Sequence, residues 1–150
     1  MFPGATVTVG VVSSPLEGFI RLRVKKRKDG REYICVYYAG PVRSAGGTAA
    51  SVSVIIADYI RKKFGYDIYD PTKEEIKRTF SELEHYHERI TNLQYFPSEK
   101  EADFMTSHLP VQVDGDPTED IEVPNYKDLP RIETNRLRGG VCLVMAECLC

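Results

Sequence analysis

Seven cations fall within eleven residues: Arg21, Arg23, Lys25, Lys26, Arg27, Lys28 and Arg31, with Asp29 the lone acid among them. Such a run can follow a phosphate backbone, each contact releasing counterions. The same run can also protect a strand edge from unwanted pairing. A second group is the glycine-rich stretch 40–48 (GPVRSAGGT). There Arg43, Ser44, Gly46, Gly47 and Thr48 would join free backbone N–H groups to a helix N-terminus, which suits an anion. A tight strand-to-helix turn needs the same glycines. The stretch is neither a Walker A loop, because Thr48 stands where lysine is required, nor GxGxxG. A third group, Asn135, Arg136 and Arg138, precedes Gly139-Gly140. These residues either hold phosphate or bridge to the acidic stretch 114–122. Arginines in partly buried settings usually find carboxylates, which favours the bridge.

No catalytic set and no metal site emerges. His85 and His87 are two apart and point to nearly opposite sides of a helix, unlike HExxH. Asp114, Asp116, Glu119 and Asp120 surround Pro117 without EF-hand spacing, and read as a solvated acidic turn. Ser44 and Ser51 lack a GxSxG context and His/Asp partners. Cys35, Cys142, Cys148 and Cys150 form no CxxC pair, so reduced thiols in a cytoplasmic protein are expected.

The elements that position these groups follow from period and punctuation. Residues 7–12 are rich in β-formers. Residues 19–26 alternate, Ile20, Leu22 and Val24 against Arg21, Arg23 and Lys25, which is a strand with one apolar and one basic face. Lys28-Asp29-Gly30 turns the chain. Residues 32–39 (EYICVYYA) return as a strand apolar on both faces, hence central. A helix from a Thr48 cap to about Phe64 places Val52, Ile55, Ile56, Tyr59, Ile60 and Phe64 on one apolar stripe, with Gly65 as its stop. Capping boxes at Thr72-x-x-Glu75 and Ser98-x-x-Glu101 open two more helices, the first keeping its period to residues 93–94, the second reaching about Leu109. Residues 110–123 read as strand, Asp-Gly-Asp-Pro turn and strand, a small second hairpin. Asn135 caps a last apolar helix. The class is α+β: a basic β-hairpin, three to four helices and a small second hairpin in a single domain over residues 1–150.

Composition bounds the function. The 150 residues are 42% hydrophobic and 28% charged, which is globular and excludes disorder. The formal net charge of −2 hides two halves. Residues 1–65 hold eleven Lys/Arg against four Asp/Glu, and residues 66–150 hold nine against eighteen. A basic half suits DNA; an acidic half suits a protein partner. There is no membrane span and no secretory signal. The last ten residues, VCLVMAECLC, stop inside an apolar helix, so the sequence reads as a slice of a longer protein and raises self-association as well.

Five segments accumulate in order: VVSSPLEG (11–18), YYAGPVRSAGGTAA (37–50), LQYFPSEKE (93–101), LPVQVDGDPTEDIEV (109–123) and DLPRIETNRLRGGVCLVMAE (128–147). Together they resemble the N-terminal region of the large subunit of the archaeal family-D DNA polymerases. The resemblance implies part of a replicative DNA-directed DNA polymerase built from a large and a small subunit. The small subunit would supply a 3′–5′ exonuclease, and Mg²⁺ would be held by aspartates far beyond this region. No cofactor is expected in this segment. By resemblance, its role is non-catalytic: DNA contact and assembly with the small subunit.

Overall fold

The computed structural model describes residues 6–8, 19–39, 47–93 and 95–148. Four strands, β1 (Thr6–Thr8), β2 (Phe19–Lys26), β3 (Glu32–Ala39) and β4 (Gln112–Gly115), form one sheet in the order β1-β2-β3-β4. Helices α1 (Gly47–Lys63), α2 (Lys73–Arg89), α3 (Glu99–Ser107) and α4 (Gly139–Leu143) accompany it, and a π-helical turn, Val144–Cys148, continues α4. The α+β class is therefore present.

The central hairpin matches its sequence pattern. β2 and β3 pair antiparallel with Leu22 opposite Val36 and Val24 opposite Ile34. Gly30 takes φ 88° in the turn, where the Asp29 carboxylate accepts the Arg31 N–H at 3.0 Å. Every residue from Tyr33 to Tyr38 is buried, as a central strand requires. Of the early strand, only β1 lies within the described residues, paired antiparallel to β2; residues 9–12 lie outside them.

The expected second hairpin does not form. β4 instead joins β3 in parallel, with Cys35 beside Gln112 and Val36 beside Val113. This pairing fills the free edge of β3 and puts Val113 with Leu22, Val24, Ile34 and Val36 in the apolar cluster. Gln112 and Asp114 point to the opposite face. The chain then returns beside residues 135–137: Val123 N–H donates to the Asn135 carbonyl at 2.8 Å, Leu137 N–H to that of Ile121 at 2.9 Å, and Glu122 bridges to Arg136. Gly115 sits where a Cβ would meet the Tyr38 carbonyl at 2.8 Å, so the close strand approach requires glycine.

α1 covers the apolar face of the sheet through Ser53, Val54 and Ala57, with Ser53 Oγ 2.8 Å from Tyr38 Oη. The sheet thus takes the side of the helix away from most of its large apolar stripe. The small residues allow helix and sheet to approach closely, so most of the larger stripe, Val52, Ile55, Ile56 and Tyr59, faces away. The helix also opens at Gly47, which makes Thr48 its second residue rather than its cap. Gly65 ends the segment at φ 75° as expected.

Both capping boxes are present. Thr72 Oγ1 accepts from Glu75 N–H at 3.1 Å, and Ser98 Oγ from Glu101 N–H at 3.2 Å. α2 stops at Arg89, short of the expected 93–94; His87 Nδ1 accepts the Leu93 N–H at 3.0 Å where the chain turns away. Asn135 caps nothing. Its amide exchanges two hydrogen bonds with Asp128, and the α4 N-cap position falls at Arg138, without a side-chain cap. Among the described residues, no helix is long and apolar enough to cross a membrane.

Candidate functional site

The basic hairpin divides into an inward face and an outward tip. On the inward side, the Arg23 guanidinium lies 3.7 Å from the Tyr37 ring centroid and bonds Glu133 at 2.5 Å, while Arg21 lies 5.0 Å from the same ring. Lys25 Nζ meets Asp114 and Gln112, each at 3.2 Å, and donates to the Arg131 carbonyl at 2.8 Å. Alternation in β2 aims these three at the polar face of the sheet, and residues 131–138 cross over them.

At the tip, Arg27 bonds Asp29 at 3.2 Å and donates to the Ile68 carbonyl. The Arg31 backbone and side chain and Arg27 together hold the Asp29 carboxyl down at about 2. Lys26, Lys28 and Arg31 are exposed. Lys26 is loosely paired with Glu32 at 3.7 Å, whereas the Arg31 guanidinium donates twice to Asp29, at 3.1 and 3.2 Å, and lies 3.4 Å from Asp67. The Lys28 backbone N–H donates to Asp70 at 2.9 Å, which fixes the tip while the ammonium points outward.

Two of the third group meet the acidic stretch, Arg136 at the surface and Arg138 in the interior, while Asn135 pairs with Asp128. Arg136 bonds Asp120 at 2.9 Å and the Glu119 carbonyl at 2.8 Å. Arg138 is 1% exposed and bonds Asp114 at 2.7 Å. Its second carboxylate, Glu82, comes from α2: Arg138 Nη2 reaches Oε1 at 2.7 Å, and Arg138 N–H donates to Oε2 at 2.7 Å. Arg78 shares Glu82 at 3.2 Å and donates to the Thr134 carbonyl at 2.8 Å. Burial opposes charge on Arg138, but Glu82 and Asp114 outweigh it and hold the guanidinium more firmly protonated than usual. Burial likewise pushes Asp114 up, and Arg138 and Lys25 prevail and bring it below the usual carboxylate range.

A neighbouring network ties the same face to α2. Arg131 bonds Glu75 at 2.8 Å and Asp70 at 2.7 Å, and its guanidinium lies 5.1 Å from the Tyr33 ring centroid. Tyr69 Oη donates to Glu75 at 2.7 Å, and Tyr33 Oη to Gln112 at 2.8 Å. Sequence reasoning did not assign Arg78, Glu82, Glu75 or Arg131 to this centre. A signal existed: Glu75, Arg78, Glu82 and Tyr86 recur at i, i+3, i+7 and i+11, one stripe of α2.

Of the glycine-rich stretch, Arg43, Ser44 and Gly46 lie outside the described residues. Gly47 and Thr48 form the first turn of α1. The acidic turn is divided: Asp120 is fully exposed, whereas Asp114 and Asp116 are engaged. Asp114 is 1% exposed and also accepts the Gly115 N–H at 2.8 Å, and Asp116 accepts from Tyr37 Oη. These carboxylates therefore do not fit a Mg²⁺ site. Among the described residues, no three His, Cys, Asp or Glu side chains gather as metal ligands. His87 stacks on Phe96, with ring centroids 4.5 Å apart.

Comparison with known proteins places this arrangement. Residues 3–150 match the family described as DNA polymerase II large subunit DP2, N-terminal. The chain is 61% identical over 141 residues to the DNA polymerase II large subunit of Nanoarchaeum equitans, covering 94% of this chain and 11% of that protein. It is 51% identical over 143 residues to the large subunit of Methanothermobacter thermautotrophicus, covering 95% of this chain and 13% of that protein. With the Methanosarcina barkeri large subunit the identity is 49% over 143 residues, 95% of this chain and 12% of that protein. The chain thus spans about an eighth of the length of these relatives or less, and it belongs to the N-terminal family of the DNA polymerase II large subunit.

Proposed function

We propose that these residues form a non-catalytic part of a cytoplasmic, replicative DNA-directed DNA polymerase, contacting the DNA backbone and helping to assemble the enzyme with its small subunit. On this reading the Mg²⁺-dependent polymerisation and the 3′–5′ exonuclease reside in other parts of the enzyme. The observation that carries the DNA contact is the division of the hairpin. Arg23 and Lys25 are bound into the fold, whereas Lys26, Lys28 and Arg31 are exposed at the tip: Lys26 meets Glu32 at 3.7 Å, Arg31 holds Asp29 and Asp67 on the surface, and the Lys28 side chain has no carboxylate partner among the described residues. Loosely paired exposed cations exchange a carboxylate for phosphate at little cost.

The test is a titration of the chain with labelled primer–template DNA across a salt series. Replacing Lys26, Lys28 and Arg31 together by Ala lowers affinity and reduces the slope of log K against log[salt] by about 3, roughly one unit per phosphate contact. An unchanged slope removes the hairpin tip from the DNA interface. The assembly role is favoured by a separate observation, the large apolar residues exposed on α1.

A further inference from the structure

The outward side of α1 carries Val52, Ile55, Ile56 and Tyr59, spaced i, i+3, i+4 and i+7 and 43%, 68%, 48% and 63% exposed. A helix that only covers a sheet needs one apolar side, and α1 already has it in Val54 and Ala57. The outward side of α2 shows the contrast: Lys73, Glu74, Glu84, Glu88 and Arg89 are its exposed residues. The α1 stripe has the spacing with which one helix receives another.

Charge selects the occupant. The stripe ends in Lys62 and Lys63, both exposed, Lys63 on the Ile56–Tyr59 side one turn on. Among the described residues Lys62 pairs only with Asp58 of its own helix, at 3.4 Å. A second copy is a poor match. Paired antiparallel, its positive helix N-terminus would face these lysines; paired parallel, lysine would face lysine. A helix with carboxylates at that end is complementary. In the relatives most of the large-subunit polypeptide lies outside this region, since the chain covers 11–13% of the Nanoarchaeum, Methanosarcina and Methanothermobacter large subunits.

We propose that this face docks an amphipathic helix from another part of the large subunit, with apolar residues at i, i+3 or i+4, and i+7, and Asp or Glu opposite Lys62 and Lys63. The proposal rests on the reading above that the α1 face is an assembly surface, and assigns that face to the large subunit itself rather than to the small subunit.

The test places the photocrosslinker p-benzoylphenylalanine at position 59 in the polymerase assembly purified from cells, with position 84 on the polar side of α2 as control. The expected result is a crosslink from position 59 to a large-subunit peptide outside these 150 residues. That peptide carries acidic residues within a turn of its apolar ones, and the crosslink is lost when Lys62 and Lys63 are both replaced by Glu. Crosslinks to the small subunit overturn this partner and leave the assembly role standing. Crosslinks to a second copy overturn it as well. A yield no higher than at position 84 overturns both the partner and the assembly role. A second measurement guards against a stripe that packs within the chain itself. Ile55→Asp with Tyr59→Asp leaves the melting temperature of the 150-residue chain within about 2 °C, as exposed positions do; a large drop overturns the proposal. The DNA titration of the hairpin tip reads neither result.

Discussion

At the scale of single residues, Arg138 organises the interior. It brings together a carboxylate from α2, a carboxylate from β4 and the start of α4, with every partner fully buried. Two anions held out of water are tolerable only because the guanidinium fork satisfies both. Arg138→Met would leave Glu82 with Arg78 as its remaining cation and Asp114 with Lys25, each beside one backbone N–H. The expected loss is about 3–5 kcal/mol of unfolding free energy, read from urea denaturation. Arg138→Lys keeps the charge but not the fork, and is expected to fall between wild type and Met. A loss below about 1 kcal/mol for Met would show that these carboxylates are solvated. The preference for an internal bridge at Arg136 and Arg138 was legible in the sequence, as was its acidic segment. Glu82 was not, because it lies 56 residues away and local charge patterning carries no sign of that distance.

At the scale of elements, what could be read depended on whether the partner was local. β2 and β3 follow their period to the residue because a two-residue alternation and an Asp-Gly turn fix both face and register. α1 was legible as a helix but not in its orientation. Periodicity finds an apolar stripe without saying which side the sheet takes, and the smaller Ser53–Val54–Ala57 side packs closer. β4 was expected to pair with its sequence neighbour and instead pairs in parallel with a strand more than seventy residues earlier. The two capping boxes were correct, yet they differ in consequence. Glu75 Oε1 takes the Thr72 N–H and also bonds Tyr69 and Arg131, whereas the Ser98 box is exposed. Ser98→Ala is expected to cost about 1 kcal/mol, the usual value of a lost N-cap. Thr72→Ala should cost more, because a shifted Glu75 disturbs the buried network. Equal losses in thermal unfolding would show that the cap and the Arg131 network are uncoupled.

At the scale of the whole molecule, the net charge of −2 describes a fold whose halves pair with each other: from the basic half, Lys25 meets the buried Asp114 and Arg23 meets Glu133 at the surface. This pairing makes stability depend on pH at both ends. Asp29, Asp70, Glu101 and Asp114 all hold carboxyls below their ordinary values in the fold. A carboxylate lowered in the folded state contributes stability above its unfolded pKa and loses it as pH falls through the folded one. The acid limb therefore begins below pH about 4 and extends toward 2, the value at Asp29. At the alkaline end the sign reverses. Burial pushes the Cys35 thiol from 9.0 up to about 12 and raises Tyr33, Tyr37 and Tyr69 as well. The unfolded chain then ionises first, and stability present below pH about 9 declines as pH rises toward 12. The urea midpoint should thus be flat between about pH 5 and 9 and fall on both sides. Cys35→Ala removes one contributor and should shallow the alkaline limb while leaving the acid limb in place. A midpoint that keeps rising above pH 9.5 would falsify the burial of the thiol and phenols, and one that stays level down to pH 2 the pairing of these carboxylates in the fold.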